Sequence, residues 1–238
     1  MNILTLSSAA LLLSLPIAAQ AVPVTVTIGD PGAMEVDLDA IGATGAKVET
    51  FDTLGTGSFT QYQSDLGTYS AGRVKPVNQY GGADETQYLF SQSSPGTTLT
   101  LDDEATYFGL WWSAGSVGNS VELLSDGVSV FVFDTDDVLE FLDTNAANSS
   151  AYYGNPNDSY QGKVTHEPFV FLNMFSDTPF DTVVLSGPNF ESDNHTLATS
   201  FTTQTGTSIA PVPLPASLPL LAMAFGGMAS VARRRKNG

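Results

Sequence analysis

Apolar and polar residues alternate in short runs along most of the chain, which indicates β-strands. The first run, 22–28, has the period of two that is expected of a half-buried strand. Asp126 and Gly127, which separate two later runs, are typical of a two-residue hairpin turn. Further strands are predicted at 47–51, 57–62, 87–90, 97–101, 106–112, 120–124, 129–133, 168–175, 180–185 and 197–202.

Polar or glycine-rich segments separate these runs. Segments 67–85 and 145–161 are rich in turn residues and are predicted to be loops. One short helix is expected at 135–142, behind Asp134 as its N-cap. Many short strands at intervals of about 8–12 residues predict an all-β protein with a single, jelly-roll-like β-sandwich.

The two ends of the chain depart from this pattern. Residues 1–21 combine an apolar stretch with Ala19 and Ala21 at a cleavage-type site, which predicts a secretory signal peptide. An uncleaved anchor is the alternative. Near the other end, 214–232 is a run of 19 residues without a charge. As a helix it would be about 28 Å long, which is enough to cross the hydrocarbon core of a bilayer.

A basic cluster follows this apolar run: Arg233, Arg234, Arg235 and Lys236. Basic residues stay on the cytoplasmic side, so a single-pass transmembrane helix is predicted, with the body outside and the C-terminus inside. The alternative is a core helix with a solvated basic end. The predicted organisation is a signal peptide (1–21), an acidic β-sandwich ectodomain (22–203), a linker (204–211) and a C-terminal sorting segment (212–238).

The residues at the start of the sorting segment are Val212, Pro213, Leu214, Pro215 and Ala216. Together with the apolar run and the arginine cluster, they resemble the PEP-CTERM sorting signal of Gram-negative bacteria in its VPLPA-CTERM variant. The resemblance covers residues 212–238. It implies export through the Sec translocon, processing by an exosortase near the motif, and delivery to the cell surface or an extracellular polysaccharide matrix.

Four segments of the body, 107–112, 120–127, 180–184 and 190–194, resemble core strands of exosortase-dependent surface proteins of the same class. Related strands occur in sandwiches similar to carbohydrate-binding modules. The resemblance therefore implies a carbohydrate-binding-module-like fold. It carries no activity, because core strands transfer fold better than function.

Charge is separated along the chain in the same way. All 25 acidic residues lie within 30–193, where only four residues are basic, so the exported body has a formal charge of −21. Such a surface repels phosphate backbones, which argues against nucleic-acid binding. It also favours solubility and attracts divalent cations. The chain has no cysteine, so the secreted body depends on core packing or a bound metal instead of disulfides.

Structural calcium is the metal expected here. In lectin-like sandwiches a calcium ion often joins an early strand to the last one, and the matching carboxylates would be Glu49 or Asp52 on the early strand and Glu191 or Asp193 on the last. Carboxylate oxygens suit calcium, and acids at positions i and i+2 lie on one face of a strand. The alternative is that all four are exposed acids at strand ends.

Two adjacent tryptophans are the candidates for carbohydrate contact. Trp111 and Trp112 face opposite sides of a strand, so one is expected in the core. The other is predicted either to form an exposed platform for a sugar ring or to be covered by a loop.

Catalysis has little support in the sequence. His195 follows Asn194 in a predicted loop and is expected to be solvated, and no nucleophile-elbow motif occurs. We therefore predict a non-enzymatic surface or matrix protein with a structural or adhesive role in the exopolysaccharide layer. The alternatives are a calcium-assisted carbohydrate-binding module and a secreted hydrolase.

Overall fold

The computed structural model of the chain describes residues 24–92, 96–144 and 149–209. Most of these residues lie in β-strands, and all of them fall in one compact unit. The elements are β1 (Val24–Ile28), β2 (Lys47–Glu49), β3 (Gly57–Gln63), β4 (Gly67–Lys75), β5 (Tyr88–Ser91), β6 (Thr97–Ser113), β7 (Ser120–Ser125), β8 (Val128–Asp134), α1 (Asp136–Thr144), β9 (Val170–Ser186), β10 (Phe190–Ala198) and β11 (Thr207–Ile209).

The strands pair antiparallel in the order β11-β1-β9-β6-β10-β5-β4-β3. In addition, β2 pairs with β10, and β7 pairs with both β9 and β8. Parts of β4 also pair with β6. The order along the chain and the order in the sheet therefore differ, and segments distant in sequence meet on the same strands.

The two longest strands, β6 and β9, each contain 17 residues and run beside each other. Their register shifts between Thr100 and Tyr107, where residues 102–104 are exposed. Pro179 lies at the corresponding place on β9 and has no N–H to give to the ladder. The first half of β6 pairs with β4 and its second half with β10, so these strands pass through two parts of the sheet.

The main hydrophobic core lies between these two parts. Leu172 and Met174 from the first half of β9 share one buried cluster with Val183 and Leu185 from its second half. The sheet is thus folded over a common core. The prediction of a mainly β-sheet protein is confirmed, and the arrangement is consistent with an all-β sandwich.

Two local predictions agree with the structure. Asp126 and Gly127 connect β7 to β8, with Ser125 paired to Val128. Both turn residues have positive φ, 51° and 73°, the backbone conformation that favours Asp-Gly in such hairpins. The helix is also present, although α1 begins one residue later than predicted and ends two residues later.

Other local predictions are wrong. Segment 67–85, predicted as a loop, contains the nine-residue strand β4. The runs 97–101 and 106–112 are one strand, because the ladder with β9 continues past the irregularity. Strand β11 lies inside the predicted linker 204–211 and pairs with β1, so the folded body extends further than predicted.

The predicted signal peptide, and the sorting segment 212–238 with its motif and arginine cluster, lie outside the described residues. Within the part of the chain that the structure describes, no helix combines the length and apolar character needed to span a membrane.

Candidate binding cleft

One face of β5, β10 and β6 points away from the main core and carries most of the candidate chemistry. The register places Phe90, Glu191 and Ser113 side by side on these three strands, and Asp193 beside Trp111. Paired residues on neighbouring strands project to the same side of a sheet. This face is therefore defined by alternate residues of β10, while the residues between them project to the opposite face.

A cleft of about 300 Å³ borders this face. Four separate segments form its walls. They are the end of β4 with the turn after it, the loop after β6, the segment before β9, and the turn leading into β10. It is lined by Lys75, Tyr80, Ala114, Ser116, Glu167, Asn189 and Glu191. The volume is at the lower end of the range for small-molecule sites, and the lining is mostly polar.

Glu191 is the most deeply placed acid of the cleft, with 6% of its surface exposed. Its Oε1 is 4.0 Å from Lys75 Nζ, which in turn is 3.2 Å from the centroid of the Phe90 ring. Burial raises the pKa of Glu191 to about 8, with Lys75 opposing and Glu167 adding to the shift. Burial also lowers the pKa of Lys75. At neutral pH the Glu191 carboxyl is mainly protonated and can both donate and accept a hydrogen bond.

Two buried polar atoms without a partner belong to residues in or beside this cleft. Among the described residues, the buried side-chain atoms without a hydrogen-bond partner are Trp111 Nε1, Ser113 Oγ and Glu167 Oε2. Glu167 lines the cleft and Ser113 is paired with Glu191 across β6 and β10. An unpaired buried polar atom costs about 1–3 kcal/mol, so such atoms are typical of sites with a purpose other than stability.

A rigid turn presents Tyr80 at the edge of the cleft. Asn78 and Gly81 exchange two backbone hydrogen bonds, of 3.1 and 3.3 Å, and Tyr80 N donates to Asn78 Oδ1 at 2.8 Å. Asn155 Nδ2 donates to the carbonyl oxygen of Gln79 at 3.1 Å, which ties the turn to a second loop. Tyr80 remains 42% exposed, so its side chain is open to solvent while these hydrogen bonds hold its backbone.

Hydrogen bonds from core side chains hold another wall of the cleft, the turn that leads into β10. Trp112 Nε1 donates to Asn119 Oδ1 at 3.1 Å, and Asn119 Nδ2 donates to the carbonyl oxygen of Pro188 at 2.9 Å. The next residue, Asn189, has a φ of 49° and lines the cleft. A buried tryptophan and a buried asparagine therefore position the turn that carries Asn189.

Of the two alternatives for the second tryptophan, cover by loops is confirmed and the exposed platform is wrong. Trp111 and Trp112 do face opposite sides of β6, but both are 0% exposed. Trp112 belongs to the main core, whereas Trp111 packs with Phe169, Phe171 and residues of the covering loops, including Ala83. Neither indole can stack on a sugar ring in this structure, because loops cover the outer face.

The four acids predicted to bind calcium are placed differently from one another. Glu191 lies in the cleft, and Glu49 accepts hydrogen bonds from Phe51 N and Tyr62 OH. Asp52 Oδ1 accepts one from a backbone N–H at 3.3 Å. No cluster of three or more His, Asp or Glu side chains suited to a metal ion exists among the described residues. Calcium binding stays a prediction.

The alternative, that these acids are exposed, is wrong for three of the four, since Glu49, Glu191 and Asp193 are 8%, 6% and 0% exposed. Asp193 has a structural role: it accepts hydrogen bonds from Ala83 N and Asn194 N, each at 2.8 Å. Burial raises the pKa of Asp193 well above its usual range. This carboxyl therefore holds the loop that precedes β5 onto the sheet.

His195 is buried in β10, so the expectation of a solvated loop histidine is wrong. Its Nδ1 is 2.9 Å from Tyr69 OH and its Nε2 is 2.9 Å from Ser192 Oγ. All three residues are 0% exposed, and burial lowers the pKa of His195 to about 3. The Ser192–His195 pair resembles a nucleophile and base, but no substrate can reach it, so it is a neutral hydrogen-bonded link in the core.

Lys75, Tyr80 and Glu167 were not predicted from the sequence as site residues. Lys75 and Tyr80 lie in the segment predicted to be a loop, and Glu167 is one acid among 25. The one available signal was Lys75, because it is one of only four basic residues in the body.

The structure is therefore that of a mainly β-sheet protein with a small polar cleft. No protein-family model and no curated protein sequence matches the chain. Among solved structures, it is similar to the catalytic domain of a glycoside hydrolase family 87 α-1,3-glucanase in complex with tetrasaccharides, with 12% identity and a TM-score of 0.33. The match covers 82% of this chain and 30% of that one, so this chain spans less than a third of its length.

Proposed function

We propose that the protein is an exported, non-enzymatic component of the cell surface or extracellular matrix, with a structural or adhesive role in the exopolysaccharide layer. The order of features in 212–238 carries the proposal: the motif Val212-Pro213-Leu214-Pro215-Ala216, then the apolar run, then the arginine cluster. In this proposal the Sec translocon exports the chain, the C-terminal helix holds it in the inner membrane, and an exosortase processes it near the motif.

The acidic body suits this destination. A formal charge of −21 keeps a domain soluble and separate from other anionic surfaces until it is anchored or released. The body has a hydrophobic core of its own, to which strands from both ends of the described range contribute. As a finer proposal, the sandwich is jelly-roll-like and similar to carbohydrate-binding modules.

The test of processing uses intact mass and fractionation of the protein from its host and from an exosortase-deletion strain. We expect the wild-type chain to lose both terminal segments, and the deletion strain to accumulate membrane-bound protein with the tail still attached. The variant Pro215→Ala should accumulate in the same way, whereas Pro211→Ala, just outside the motif, should be processed normally. Identical fractionation in the two strains would refute the proposal.

Carbohydrate binding is a second candidate function, and the cleft is the observation that favours it. Both tryptophans are buried and cannot form the aromatic platform expected from the sequence, so another aromatic residue must take that role. Tyr80 is the aromatic residue in the cleft lining.

A further inference from the structure

We propose that the cleft lined by Lys75, Tyr80, Glu167 and Glu191 binds a neutral pyranose unit of a glycan. This inference rests on the proposed surface function, for which it supplies the adhesive contact. It assigns to the cleft a ligand class, an aromatic platform and a set of hydrogen-bonding partners.

The aromatic part of the argument concerns Tyr80. A pyranose ring has an apolar C–H face and a rim of hydroxyl groups, and it packs against a flat aromatic ring. The Tyr80 ring is exposed at the edge of the cleft and its backbone is held by the hydrogen bonds of the 78–81 turn. Because the backbone of this turn is already held, ordering it on binding costs little conformational entropy.

The polar lining suits hydroxyl groups, which both donate and accept hydrogen bonds. Glu167 lines the cleft, and its carboxylate has spare acceptor capacity because Oε2 has no hydrogen-bond partner among the described residues. Asn189 can donate and accept, and the Lys75 ammonium can donate. Glu191 is more than nine-tenths buried, and its Oε1 is 4.0 Å from Lys75 Nζ, which is too far for a direct hydrogen bond, so the carboxyl can bond to a ligand hydroxyl instead.

Charge selects a neutral sugar over an acidic one. The cleft has two carboxyl groups and one ammonium group, and the surrounding body has a large excess of acids. A uronate would have to approach Glu167 and the acidic surface without a matching excess of cations. Hydroxyl groups avoid this cost because they interact with carboxyl and ammonium groups alike.

The experiment measures glycan binding by the full chain, purified in a zwitterionic detergent because sugar-headed detergents would compete. The probes are a panel of neutral glucose, galactose and mannose oligosaccharides and matched oligosaccharides that contain glucuronate or galacturonate. We expect at least one neutral probe to bind. Tyr80→Ala should weaken this binding about tenfold, the loss typical of one aromatic contact, and Glu167→Gln should weaken it by a similar factor.

Two matched controls remove comparable groups elsewhere. Val128→Ala truncates an exposed apolar residue on the β7–β8 hairpin, and Glu140→Gln neutralises an exposed acid on α1. Both should bind as the wild type does. The inference is overturned if no neutral probe binds, if uronate probes bind more tightly than neutral ones, or if Tyr80→Ala binds as tightly as the wild type.

Failure of this inference is distinguishable from failure of the proposed function. Glycan binding is measured on purified protein and needs no exosortase, whereas processing is measured in cells and needs no glycan. Loss of binding with normal processing would remove the cleft assignment alone, and unprocessed protein that still binds would support the cleft while refuting the surface pathway.

Discussion

Replacing Glu191 with Gln is expected to flatten the dependence of stability on pH. The folded protein raises the pKa of this carboxyl from 4.5 to about 8, chiefly because the group is buried. In the unfolded chain the same group ionises at its ordinary pKa. Its contribution to stability is therefore complete below pH 4.5 and is lost as the pH rises through 8. Glutamine has nearly the same shape and does not ionise, so the variant lacks this loss.

The magnitude follows from the size of the shift. At about 1.4 kcal/mol per pKa unit, the wild type should lose about 3 kcal/mol of unfolding free energy between about pH 5 and about pH 8 through this group alone. Asp193, whose pKa is also raised by burial, acts in the same direction in both proteins. The difference between wild type and Glu191→Gln therefore isolates Glu191.

Urea unfolding of the protein, followed by tryptophan fluorescence at a series of pH values, measures this difference. Trp111 and Trp112 are both fully buried, so their emission reports global unfolding. The control Glu140→Gln removes an exposed acid and should have the pH profile of the wild type. If wild type and Glu191→Gln lose stability in parallel as the pH rises, the carboxyl is ionised in the fold and the reasoning is wrong.

Two further predictions concern buried groups of the core. Burial lowers the pKa of His195 from 6.5 to about 3. The neutral imidazole therefore contributes its full stabilisation only above pH 6.5. The unfolding free energy should fall by about 3 kcal/mol through this group when the pH decreases to about 4. An imidazole NMR resonance of His195 that titrates at its ordinary pKa would contradict this. Trp112→Phe should destabilise the body more than Trp111→Phe, by about 1 kcal/mol, because it deprives Asn119 of a donor whereas Trp111 Nε1 has no partner among the described residues. Equal unfolding free energies of the two variants would count against the assigned hydrogen bond.

Local structure was predictable where one segment decides its own conformation. The turn at Asp126 and Gly127 needs two residues that tolerate positive φ, and the strands on either side are recognised by their alternation of apolar and polar residues. The strand β4 was missed because glycines and polar residues make 67–85 look like a loop. Gly67 has a φ of 145° and lies against the backbone of Thr100, so contact with β6 makes a glycine necessary in this strand.

The burial of β10 could not be predicted from its polar residues, for a related reason. Glu191, Ser192, Asp193, Asn194 and His195 are all polar, which is typical of a surface segment, yet every position of β10 is buried. Their partners are side chains and backbone groups far away in the chain. A buried polar strand is stable only when such partners satisfy it, and a pattern of hydrophobicity contains no information about them.

The sequence by itself determined the β character of the body, the Asp-Gly hairpin and the separation of apolar ends from an acidic centre, because these follow from local periodicity and charge. Only the tertiary structure decided that Lys75, Tyr80, Glu167 and Glu191 share one cleft and that loops bury Trp111. Those four side chains come from three separate segments, and the pKa of Glu191 is set by burial and neighbours that only the folded sheet brings together.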